Sequence, residues 1–153
     1  MTVHRYAAAL DWEGSTSTGY DRYSRGHAAT VAPAAIALDL TADPAFLGDP
    51  TRLNPEQLLV LAAASCQLLS FLAVAARARI DVAAYHDDAE GEMPPADGPM
   101  RVTRITLHPR ITIRGDVSDA RILHLVDVAH RECYIANSVT TEIVIEPEII
   151  RSP

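Results

Sequence analysis

Two cysteines, Cys66 and Cys133, are the sulfur nucleophiles of this 153-residue chain, and what they do with each other is its first chemical question. Cys66 lies inside a near-continuous apolar run, and Cys133 near the end of an amphipathic stretch. The first residues, Met1-Thr2-Val3-His4-Arg5-Tyr6, lack the charged and apolar regions of an export signal. The chain is therefore expected in the cytoplasm, where thiols stay reduced and a cysteine pair reads as catalytic or metal-binding rather than as a structural staple. The bland reading of either cysteine is a small core hydrophobe.

An attacking cysteine works as its thiolate, and Cys66 lies about ten residues past the expected helix start, too deep for the helix dipole to assist. A cation must be supplied. The apolar run has none before Arg77, which leaves Arg22 and Arg25 of the loop Tyr20-Asp21-Arg22-Tyr23-Ser24-Arg25-Gly26-His27. Glu56 suits the positive end of the helix dipole and could also orient an arginine. About ten residues of straight helix hold Glu56 roughly 15 Å from Cys66. Antiparallel packing of the helix against a second copy would bring Glu56 of one chain towards Cys66 of the other.

The elements that must position these groups follow from the pattern. Residues 3–12 and 28–40 read as strands around a long polar loop, Glu13 to His27. Asn54-Pro55-Glu56-Gln57 carries an N-cap, a proline suited to N1 and a glutamine able to close a capping box. A helix from Leu58 to Ala76 follows, apolar on nearly every face, and so expected to be covered on both sides, by its own sheet and by a partner subunit. Residues 80–93 and 100–114 alternate as strands, and Asp116 or Ser118 starts a second helix that turns Ile122, Leu125, Val126, Ala129 and Cys133 to one face. A last strand runs from Thr141 to Ile149. The order is β-β-α-β-β-α-β, an α+β chain read as one domain over residues 1–153.

Thirteen Lys and Arg against 20 Asp and Glu give a net charge of -7 with no basic block, which argues against nucleic acid. The apolar run is only moderately hydrophobic, so a core helix is expected rather than a membrane span. His130, one turn before Cys133, could join both cysteines around zinc, but no Cys-x-x-Cys completes a four-ligand set.

Taken together, Asn54-Pro55-Glu56-Gln57-Leu58, Ala64-Ser65-Cys66, Ala129-His130-Arg131-Glu132-Cys133 and Trp12-Glu13-Gly14 before an arginine-bearing loop resemble the OsmC/Ohr family. These are the osmotically inducible and organic hydroperoxide resistance proteins. The resemblance implies an intertwined homodimer, with sheets wrapped around two central helices and the sites at the interface. It implies Cys66 as peroxidatic cysteine, Cys133 as resolving cysteine, Glu56 as the acid paired with arginine, and Arg25 as activator with Arg22 as the other candidate. The substrate would be an organic hydroperoxide, and a Cys66–Cys133 disulfide would be recycled by an external dithiol, of dihydrolipoyl type or another small thiol. No cofactor or metal is implied. The better-known members usually place proline after the second cysteine, whereas this chain continues Tyr134-Ile135-Ala136-Asn137-Ser138, which resembles a less characterised OsmC-like branch. A redox sensor or thiol-dependent binding protein of the same fold is the alternative.

Overall fold

The computed structural model describes residues 2–152. Two units divide the chain, Met1–Leu58 and Leu59–Pro153, and helix α1 (Pro55–Arg77) runs from the first into the second.

In the first unit, β1 (Ala9–Asp11), β2 (His27–Thr30) and β3 (Ala37–Leu40) form an antiparallel sheet in that order. The strand expected over residues 3–12 shrinks to β1 because Ala9 already pairs with Thr30, the last residue of β2. Anything earlier would have to pair with a turn. The strand expected over residues 28–40 is two strands, separated at Val31-Ala32-Pro33-Ala34, where the Ala34 N–H donates to Val31 O at 2.9 Å. The unit ends on the start of α1, which is closed reciprocally. The Gln57 N–H donates to Asn54 Oδ1 at 2.8 Å, and the Asn54 N–H donates to Gln57 Oε1 at 3.1 Å. Two orphan donors are satisfied, and proline at N1 has none to offer.

In the second unit each expected strand is broken once. Residues 80–93 give β4 (Asp81–Asp87) and β5 (Glu90–Glu92), residues 100–114 give β6 (Arg104–Leu107) and β7 (Pro109–Arg114), and the final segment gives β8 (Glu142–Ile145) and β9 (Glu148–Arg151). The pieces assemble as two sheets, β4-β7-β9 and β5-β6-β8, each with one antiparallel and one parallel pairing. His108 marks the break between them. Its N–H donates to Asp87 Oδ1 at 2.7 Å, and its ring nitrogens lie 3.1 Å from Glu90 and 3.3 Å from Glu146.

Helix α2 (Asp119–Glu132) starts at Ser118, whose hydroxyl accepts from the Arg121 N–H. One core cluster joins Phe71, Val74 and Ala75 of α1 to Ile111 and Ile113 of β7 and to Ile122, Val126 and Ala129 of α2. A second joins Ala63 to Ile105 and Leu107 of β6. By length and composition α1 could cross a membrane, but its buried face, Ala63, Gln67, Phe71, Val74 and Ala75, is built into these clusters. Its other face is not covered by this chain. Leu61, Leu69 and Leu72 are 59%, 63% and 39% exposed, which leaves one side of the helix for the partner subunit expected from the sequence. The fold class is α+β as expected, with nine strands and two α-helices among the described residues.

Candidate active site

Cys66 lies on α1 between the two core clusters, half-buried, at the border of the helix's buried face and its exposed leucine stripe. Cys133 is the C-cap of α2 and is 1% exposed. Both are free thiols, and they are neighbours. Burial pushes the Cys133 thiol up from its ordinary range, and the adjacent Cys66 adds to the shift. Burial thus favours the thiol form of Cys133. A pair arranged this way suits one attacking and one resolving sulfur.

One residue along, Gln67 is 1% exposed, and its Nε2 donates to Val126 O at 3.3 Å, tying α1 to α2 beside the cysteines. Gln67 interrupts the apolar run that fills this helix. A lone amide in such a run, where a leucine would pack as well, is the signal that could have found it.

The first unit carries the arginine. Trp12 follows β1, and its indole N–H donates to Ser24 O at 2.8 Å, drawing the loop back over the hairpin. Its ring meets Tyr23 edge-on at 6.4 Å, and Tyr23 meets Tyr20 in the same way at 6.2 Å. Arg25 lies on both tyrosines, 3.9 Å from the Tyr23 ring centre and 4.8 Å from that of Tyr20. Its Nη1 donates to Tyr23 O at 2.7 Å and its Nη2 to Tyr20 O at 2.6 Å. A guanidinium has five N–H donors, so this seat leaves several for a ligand. Arg25 also lines a cleft of about 380 Å³ with Leu10, Trp12, Tyr23, His27 and Pro55. Arg22 is exposed and lies outside that lining. Glu56, half-buried at the second position of α1, has no ionic partner among the described residues. The aromatic seat of Arg25 went unread in the sequence, although Tyr20 and Tyr23 stand in the same loop.

Comparison with known proteins places this geometry. The OsmC-like protein family model matches residues 48–148, which include α1, both cysteines and Glu56. The chain belongs to the OsmC-like family. No curated protein matches it. Among solved structures, an OsmC-like protein of unknown function from Vibrio cholerae is 29% identical, with a TM-score of 0.85 over 95% of this chain and 100% of that one. An organic hydroperoxide resistance protein OsmC from Legionella pneumophila is 17% identical, with a TM-score of 0.73 over 98% and 99%. An organic hydroperoxide resistance protein from Elizabethkingia anophelis, with thiocyanate bound, is 16% identical, with a TM-score of 0.74 over 99% of each chain. These two share the fold. Among the described residues no three or more His, Cys, Asp and Glu side chains of this OsmC-like chain come together as a group that could hold a metal ion.

Proposed function

We propose that this OsmC-like protein is a thiol-dependent peroxidase that reduces organic hydroperoxides to alcohols in the cytoplasm. The observation that carries the reading is the pair of neighbouring free cysteines, in which Cys66 is partly open and Cys133 is buried. Cys66 thiolate attacks the distal oxygen of the hydroperoxide, the O–O bond breaks, and the alkoxide leaves and takes a proton. Arg25 supplies the cation for the thiolate and donors for the departing oxygen, with Arg22 as the other candidate. Glu56, with no ionic partner among the described residues, is the acid that would orient the guanidinium in the assembled site. Cys66 is left as sulfenic acid. The Cys133 sulfur condenses with it, releasing water and forming the Cys66–Cys133 disulfide, which an external dithiol reduces.

The apolar lining contributed by Leu10, Trp12 and Pro55 beside Arg25 suits an organic tail better than hydrogen peroxide. A homodimer that buries Leu61, Leu69 and Leu72 accounts for the uncovered stripe of α1. The chemistry draws on no cofactor beyond the reductant.

The test is steady-state turnover of an alkyl hydroperoxide against hydrogen peroxide, with dithiothreitol and a dihydrolipoyl donor as alternative reductants. Faster consumption of the alkyl substrate is expected with either dithiol. A protein that consumes neither peroxide while its thiols remain intact is not a peroxidase, and the sensor reading then takes its place.

A further inference from the structure

The way back from the disulfide is written in the turn that follows α2. Cys133 is the C-cap, and the chain folds over it at once. The Ala136 N–H donates to the Cys133 sulfur at 3.5 Å, and the Ile135 N–H also faces it. Asn137 holds this turn closed, its Nδ2 donating to Arg131 O and to Cys133 O, each at 2.9 Å, while its own N–H donates to Cys133 O at 3.1 Å. The Cys133 sulfur is therefore wrapped by its own chain, with backbone donors on one side and Cys66 on another. Assembly can only add to this burial.

We infer that the reductant attacks the Cys66 sulfur, that Cys133 is the leaving group received by the N–H groups of Ile135 and Ala136, and that Asn137 is the residue positioning them. The inference rests on the peroxidase reading for the origin of the disulfide. Exchange requires the incoming thiolate to reach a sulfur in line with the S–S bond, so access decides which sulfur is attacked. Cys133 is closed within its own chain at 1% exposed, whereas Cys66 is only half-buried and lies beside the leucine stripe rather than within it. One thiol of the dithiol loses its proton and bonds to Cys66, the Cys66–Cys133 bond breaks, and Cys133 leaves with the electron pair. A buried thiolate is costly, and the two N–H donors oppose that cost until the sulfur takes a proton from solvent and returns to its resting thiol. The second thiol of the reductant then deprotonates and attacks its partner sulfur. This closes the reductant's disulfide and releases Cys66 as thiolate.

The test starts from disulfide made with diamide, so it does not depend on peroxide. The oxidised protein is mixed with 2-mercaptoethanol, quenched in acid within milliseconds, alkylated and mapped by mass spectrometry. The expected adduct is on Cys66, with Cys133 alkylated as a free thiol, and an adduct mainly on Cys133 overturns the inference. In parallel, Asn137→Ala should slow reduction of the disulfide by dithiothreitol about tenfold. It should leave the rate of the first peroxide equivalent within about twofold, and Asn137→Gln should recover part of the loss. Equal slowing of both half-reactions makes Asn137 merely structural and removes it from the proposal. Peroxide consumption by the reduced wild type reads the peroxidase assignment alone, so the two ideas fail separately.

Discussion

Cys133, sealed within its own chain, and Cys66, half open, are not equivalent targets for a peroxide. Cys66→Ser should abolish peroxide consumption, whereas Cys133→Ser should consume about one equivalent and then stall, with overoxidation to sulfinic acid under excess peroxide. A peroxide electrode and intact-protein mass spectrometry check both, and equal activity of the two variants would refute the assignment. The two loop arginines should separate just as clearly. Arg25→Ala removes a guanidinium held by two carbonyls and two rings and should slow alkylation of Cys66 at neutral pH about tenfold. Arg22→Ala, at an exposed position outside the cleft, should stay within about twofold. Cys66 and Cys133 stood out in the sequence because the chain has two cysteines, whereas Glu56 and the arginine loop became candidates through their place in the motifs. The parts played by Tyr20, Tyr23, Gln67 and Asn137 could not be read there. Their donors and rings are common, and their use depends on partners that only the folded chain defines: Arg25 over the rings, Val126 O for Gln67, and Arg131 O for Asn137.

At the level of elements, local chemistry was the better guide. The capping box of α1 and the hydroxyl cap of α2 form within four residues, and sequence placed the first and narrowed the second to Asp116 or Ser118. The strands were found, but not their breaks. Alternation continues through Asp87, His108 and Glu146, and what divides the sheets there is a long-range polar knot around His108. That knot has a pH signature. Burial is the main cause that raises the Asp87 carboxyl above its ordinary value, against the opposing hydrogen bond from the His108 N–H. The folded state then holds the proton more tightly than the unfolded chain. Its stabilising contribution is fully present below the ordinary carboxylate range and is lost as pH rises through the folded value. Asp87→Asn should therefore flatten the stability profile across the weakly acidic range in urea titrations, and an unchanged profile would remove Asp87 from that account. Phe71 reports on the larger core. It is fully buried against Tyr85 and the first cluster, and Phe71→Ala should cost about 3–5 kcal/mol in the same titrations.

For the whole molecule, the leucine stripe of α1 sets the expectation. In the homodimer proposed above, sedimentation equilibrium should find no appreciable monomer at micromolar concentration, and charge placed in the stripe by Leu69→Glu should produce monomer or insoluble protein. A stable wild-type monomer would leave Leu61, Leu69 and Leu72 without their partner. Sequence reached this point through composition alone, since an all-round apolar helix in one small chain has more surface to hide than its own sheets can cover. The same helix has a genetic consequence. It is one straight element, and it keeps Glu56 roughly 15 Å from Cys66 of its own chain. When the acid of one chain serves the thiol of the other, two defective alleles can help each other. A hybrid of Glu56→Ala and Cys66→Ser chains gathers both lesions into one centre and leaves the other whole. Cells carrying both alleles should resist organic hydroperoxide better than cells carrying either alone.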